Sequence, residues 1–197
     1  MPSRQTFINL WSNITNELKN YDNVIFEPYN EPHGDTAAKI EYFTMMQELI
    51  NAIRSTGAKQ PIVVQWNWQN WWDLQYPHGS TLQWVYDYPL SDPQDNLIIS
   101  THNYPNAIFR GGIGYVGDIY ENVLTYTDKT LINKVSLEYP LIIGEIGAKD
   151  GVAQEAKSME NSLKRFNELG IGYVAWPWTN RFASNLGNLL KKNDSWE

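Results

Sequence analysis

Apolar residues recur at two different spacings along this chain, and the two alternate. Phe7, Leu10 or Trp11, Ile14 and Leu18 line one face at helical spacing and predict a helix over residues 5–19. A short apolar run bounded by turn residues follows in NVIFEPYN (23–30), which reads as a strand. Ile40, Phe43, Met46, Leu49 or Ile50, and Ile53 return to the helical period, from a cap near Asp35 or Thr36 to a stop at Gly57. PIVVQW (61–66) is a second strand, with Pro61 tolerated at its first position. Residues 69–96 are irregular and rich in Trp, Tyr, Pro and Asp, the pattern of a long loop holding a short helix.

LIISTHNY (97–104) is a third strand, a helical face carries Ile119, Val123, Tyr126 and Val135, and PLIIGE (140–145) is a fourth strand. After the loop GAKDG, Ala156, Met159, Leu163 and Phe166 form one helical stripe that ends at Gly170. IGYVAWPW (171–178) is the fifth strand, and the tail from Ala183 holds at most one short helix. The strands are continuous apolar runs, so both faces are expected to be covered, as in a parallel sheet flanked by helices. No linker, repeat or composition break divides the chain, and one α/β domain over residues 1–197 is expected.

Composition narrows the function classes. The chain has 197 residues, 42% hydrophobic and 19% charged, which suits a folded domain rather than disorder. Its net charge of −7 argues against nucleic acid, and no apolar run reaches the length of a membrane span. Cysteine is absent, which excludes disulfides and thiolate chemistry, and the start MPSRQTFINLW lacks the profile of a signal peptide. Histidine occurs only at 33, 78 and 102 without paired metal-ligand spacing, so neither a metal nor a cofactor is expected. Tryptophan is the outlier: nine in all, five of them between Trp66 and Trp84. Flat rings with a polar edge suit stacking on sugars as well as packing in a core.

Each predicted strand finishes in polar or aromatic groups: Asn30 and Glu31, then Trp66 and Trp68, His102 and Tyr104, Glu145, and Trp176. In parallel α/β folds that edge is where ligands bind. Glu31 and Glu145 would therefore share one face. A carboxylate pair is what glycosidic cleavage needs, one group giving a proton to the leaving oxygen while the other attacks the anomeric carbon. Pro32 pushes Glu31 towards extended backbone, which would aim its side chain reproducibly. Each residue also has a structural explanation. Glu31 could favour the positive end of the next helix, Glu145 could pair with a lysine, and His102 could be a satisfied core histidine. Glu27 reads as an inward, hydrogen-bonded structural group.

The ordered motifs YNEPHG, STHNYPN, LIIGEIG and GYVAWPW resemble those of glycoside hydrolase family 5, the endoglucanase-type cellulases, over nearly the whole chain. The resemblance implies a retaining endo-β-1,4-glucanase, or a β-mannan-cleaving relative, acting on a β-linked polysaccharide. It implies Glu31 as acid/base, Glu145 as nucleophile, and Asn30 as the ligand of the sugar 2-hydroxyl. It further implies Tyr104 hydrogen-bonded to Glu145, His102 beside the carboxylates, Trp176 as a stacking platform, and Trp66 as an aromatic that the family carries after its strand. The family fold is an eight-stranded barrel of about 250 residues. Five strands here correspond to strands four to eight of an incomplete (β/α)8 TIM barrel, without the family's arginine and histidine from earlier strands. A homodimer or an N-terminal partner segment is expected to complete it, and secretion is expected from the resemblance alone. The rival reading is a carbohydrate-binding or interaction module that keeps the aromatic groove but no longer turns over.

Overall fold

The computed structural model describes residues 3–66, 82–103, 132–147 and 153–176. Helix α1 (Arg4–Leu18) starts at Ser3, whose hydroxyl accepts from the Thr6 amide. Helix α2 (Thr36–Ser55) starts at Asp35, whose carboxylate accepts from the Ala38 amide, and gives way to Gly57 at φ +89°. Strand β1 (Ile62–Gln65), the short helix α3 (Trp84–Asp87) and strand β2 (Leu97–Asn103) follow. Helix α4 (Ile132–Glu138), strand β3 (Leu141–Ile146), helix α5 (Ala153–Leu169) and strand β4 (Gly172–Ala175) complete the series. The four strands pair in parallel in the order β1-β2-β3-β4, each crossing over to its neighbour as the alternating pattern requires.

One predicted strand is largely missing. Residues 23–30 contribute a single bridge, Phe26 opposite Ile62, made by Phe26 N–H to the Pro61 carbonyl and Val63 N–H to the Phe26 carbonyl. The next donor in a parallel ladder would come from Pro28, which has no N–H, so the pairing stops there. The other four expected strands are present, and the chain is an α/β parallel sheet of partial-barrel form.

Alternation along the strands sorts side chains between two faces. Ile62, Val64 and Trp66 join Ile99, Ile143 and Ile146 in the core beneath the helices, with Phe43, Met46, Leu49, Ile50 and Ile53 from α2. The same cluster takes Met159 and Phe166 from α5, the stripe that the sequence predicts. The other face carries Gln65, Ser100 and His102. Strand β4 lies at the end of the sheet, and Tyr173 and Val174 are exposed there.

Gly144 breaks the alternation at a useful place. Ile143 pairs with Thr101, but Glu145 pairs with His102, so β3 holds one extra residue against β2. The same residue is extra against β4, where Ile143 pairs with Tyr173 and Ile146 with Ala175. A bulge of this kind resets which face each following residue takes. Gly144 and Glu145 thus both serve the inner face, while Ile143 and Ile146 both stay in the core.

Candidate active site

Three side chains meet at the C-terminal ends of the strands. His102 on β2 is almost wholly buried, with 2% of its side chain exposed, against 34% for Glu31 and 20% for Glu145. Its Nδ1 lies 2.8 Å from Glu31 Oε1 and 3.5 Å from Glu145 Oε2. A carboxylate only accepts, so the shared proton sits on Nδ1 whenever Glu31 is ionised. One oxygen of each glutamate and one imidazole nitrogen all lie within 4.8 Å of one another. The set has the composition of a metal site, and a metal there would compete with the His102 hydrogen bond for the Glu31 carboxylate.

The local sequence explains this meeting. The β3 bulge brings Glu145 beside His102. A Cβ at Gly144 would lie 2.6 Å from Ser100 Oγ and 3.1 Å from His102 Nε2, so only glycine leaves the imidazole its place. Glu31 reaches the imidazole by a different route from the expected one. Its φ is +49°, in the left-handed region rather than the extended one that Pro32 predicts. Such a conformation costs free energy and persists only where its surroundings hold it. Here His33 Nδ1 bonds the Glu31 carbonyl, and His102 holds the carboxylate. The side chain that caps α2 is that of Asp35, while the Glu31 carboxylate meets His102.

A further acid stands beside the pair. Glu27 Oε1 accepts from Gln65 Nε2 at 2.8 Å, which makes Glu27 the inward hydrogen-bonded group expected of it. One side of Glu27 is open to solvent, yet the protein around the rest pushes its carboxyl above the ordinary value. The charge of His102 lowers it, that of Glu145 raises it further, and the Gln65 amide opposes the rise.

The remaining predicted residues divide. Asn30 is exposed beside Glu31, and Trp176 is 45% exposed just past β4, its amide bonded to the Ile146 carbonyl. Tyr104 and Trp68 lie outside the described residues. Trp66 is part of the core rather than of an open surface. It shares the helix side of β1 with Ile62 and Val64, is 2% exposed, and packs on Tyr42 and Phe43 at 5.4 and 5.8 Å between ring centroids. The Lys39 ammonium lies 5.8 Å from its ring, and burial lowers the Lys39 pKa while Asp87 opposes the shift. Ser100, Gly144 and Gln65 were not singled out from sequence. A glycine inside an apolar strand is the signal that could have found the bulge.

Known proteins resemble this chain in sequence and in fold. A mannan endo-1,4-β-mannosidase of Cellvibrio japonicus is 28% identical over 186 residues, which is 92% of this chain and 38% of that protein. An endo-β-1,4-glucanase variant of Xanthomonas axonopodis pv. citri superposes with a TM-score of 0.67 at 23% identity, covering 91% of this chain and 58% of that one. A β-mannanase of Thermomonospora fusca, solved with mannotriose, superposes with a TM-score of 0.61 at 23% identity, covering 91% and 53%. The chain thus spans well under two thirds of the relatives it matches, and the structural likeness is one of fold. Residues 2–182 match the family described as Cellulase (glycosyl hydrolase family 5), so the chain belongs to that family.

Proposed function

We propose that this chain carries the catalytic centre of a retaining β-1,4-glycanase, an endoglucanase first, with β-mannan as the alternative substrate. The observation that carries the proposal is the approach of the Glu31 and Glu145 oxygens to within 4.8 Å around one imidazole. Retaining enzymes hold their carboxyl groups about 5–5.5 Å apart, while inverting ones leave room for a water at about 6.5–9.5 Å.

Glu145 attacks the anomeric carbon as Glu31 gives its proton to the departing glycosidic oxygen. The bond that forms is a glycosyl ester to Glu145, and the bond that breaks frees the leaving sugar. Water then enters, Glu31 takes its proton, and attack on the ester releases the second sugar with Glu145 restored. His102 holds Glu31 from one side and orients it. Asn30 is the donor to the sugar 2-hydroxyl and Trp176 the stacking surface at the reacting ring. Support for a β-1,4-linked chain comes from the mannan endo-1,4-β-mannosidase and endo-β-1,4-glucanase that this chain resembles. The exposed end strand β4 favours a further strand, from a second copy or from an N-terminal segment of the same fold, and light scattering across a dilution series tests that part.

Release of reducing ends from carboxymethylcellulose and from galactomannan tests the activity. Glu145→Gln should abolish release from whichever polymer is cleaved while binding is kept. Unchanged hydrolysis in that variant would end the nucleophile assignment. Binding without hydrolysis by the unaltered chain would favour the binding-module reading.

A further inference from the structure

The segment that delivers Glu31 is held by very little sheet. Backbone pairing reaches Phe26 and stops, because Pro28 cannot donate. Five residues on, Glu31 must meet His102 at 2.8 Å with its backbone in an unfavourable conformation. Some other contact has to fix the intervening chain.

That contact comes from the neighbouring strand. The Gln65 amide nitrogen donates to Glu27 Oε1 at 2.8 Å and to the Tyr29 carbonyl at 3.1 Å. Both of its protons are therefore used, one on each side of Pro28. Gln65 is 1% exposed and sits on the last paired position of β1, opposite Ser100. The orientation of its amide follows from chemistry, since the reverse would set its carbonyl oxygen against a carboxylate and a carbonyl. On the other side of the segment, the Tyr29 ring packs edge-on against Phe7 and Tyr42 at 6.0 and 5.6 Å. The chain from Glu27 to Tyr29 is thus clamped between a ring contact and a side-chain amide, two residues before Glu31.

We infer that Gln65 is a positioning residue for Glu31: its side-chain amide takes the place of the ladder bonds that Pro28 forbids, and so sets the Glu31 carboxyl against His102. The inference rests on the reading of Glu31 as the proton donor for its kinetic consequence, but not for its geometric one. Loss of the clamp leaves Glu145 and its bulge untouched, so the effect falls on proton donation rather than on nucleophilic attack. The signature is selective. Substrates with a poor leaving group need the proton, and those with a good one do not.

The test uses the 197-residue chain with Gln65→Met, which conserves volume and removes the amide. Glu27→Leu is the second variant, removing one of the two acceptors at a site open to solvent. Val64→Ala, on the core side of the same strand, is the control for lost stability alone. The ratio of kcat/KM for 2,4-dinitrophenyl over phenyl β-cellobioside should rise about tenfold to a hundredfold in Gln65→Met, because a small misplacement of a general acid costs that much. Glu27→Leu should raise it less, and Val64→Ala should leave it unchanged. Independently of turnover, the 15N spectrum of the His102 imidazole, assigned through His102→Gln, should lose its hydrogen-bonded Nδ1 signature in Gln65→Met and keep it in Val64→Ala. An unaltered chain that cleaves neither glycoside would sink the proposed activity, and the imidazole spectrum would still decide the clamp. A His102 resonance unmoved in both Gln65→Met and Glu27→Leu would overturn it. If Gln65→Met does not fold, the same two readouts on Glu27→Leu decide the question when set against Glu27→Gln, which loses the charge beside His102 and Glu145 but keeps an acceptor for the Gln65 amide.

Discussion

Gly144→Ala tests the packing that brings Glu31, His102 and Glu145 together. The added methyl would lie 2.6 Å from Ser100 Oγ and 3.1 Å from His102 Nε2. Non-bonded atoms rest about 3.5–4.0 Å apart, so the hydroxyl must retreat by roughly an ångström and the imidazole by several tenths. Ser100 Oγ has no partner among the described residues and can rotate away, whereas the ring is wedged beside two carboxylates. Overpacking of this kind costs about 1–3 kcal/mol of stability. Hydrogen bonds to charged groups are worth about 1.5–3 kcal/mol, and loss of half to all of the His102–Glu31 bond slows turnover about 3- to 100-fold. Urea unfolding measures the first quantity and reducing-end release the second. The double variant Ser100→Ala, Gly144→Ala separates them. It removes the 2.6 Å contact and should regain most of the stability, yet it leaves the 3.1 Å contact and so keeps much of the kinetic loss. A Gly144→Ala chain with unchanged stability and rate would refute the reasoning, because the bulge would then have room that the structure denies it.

Glu31→Ala should lose least on substrates with good leaving groups, and azide should partly restore its turnover by attacking the glycosyl-enzyme; equal losses on every substrate, without rescue, would make Glu31 structural. Trp66→Ala should destabilise the fold by about 3–5 kcal/mol, as loss of a large core ring does, while Trp176→Ala should leave the melting temperature alone and raise KM. The reverse pattern in calorimetry and kinetics would exchange the two roles. Asp92 is buried with Arg54, bonded at 2.7 and 2.8 Å, and Asp92→Ala should cost about 3–5 kcal/mol by urea unfolding at neutral pH. Burial works to raise the Asp92 pKa, but the Arg54 bonds and the amides of Gln94 and Asn96 outweigh it and hold the carboxyl below its ordinary value. The ion pair's stability is therefore full above that ordinary value and is lost as pH falls through the folded pKa. Urea midpoints that were flat on acidification would contradict this.

Much of this architecture can be read from local signals. The cap at Asp35 and the stops at Gly57 and Gly170 mark helix ends because the backbone there needs a side-chain acceptor or a positive φ. The glutamates meet because strands alternating with helices in a parallel sheet deliver all their C-terminal ends to one side. The apolar run at 23–30 suggests a longer strand than forms, since the N–H missing at Pro28 ends the ladder. Counting by twos from Ile62 sends Trp66 to the core, one of the two readings that the density of tryptophan leaves open. The φ of Glu31 was not legible, because it is imposed by contacts with His102 and His33 from outside the pre-proline rule. The role of Gln65 is not legible for a similar reason: it exists only once Pro28 and Tyr29 are placed beside β1.

The central claim is that Glu145 forms a covalent bond to the sugar while Glu31 moves the proton. Incubation with a 2,4-dinitrophenyl 2-deoxy-2-fluoro-β-cellobioside, or the corresponding mannobioside, followed by peptide mapping in the mass spectrometer tests it most directly. The account predicts one fluoroglycosyl adduct per chain, carried on the peptide that contains Glu145 and absent in Glu145→Gln. A chain that hydrolyses the polymer yet shows no adduct, or bears it elsewhere, would contradict the account.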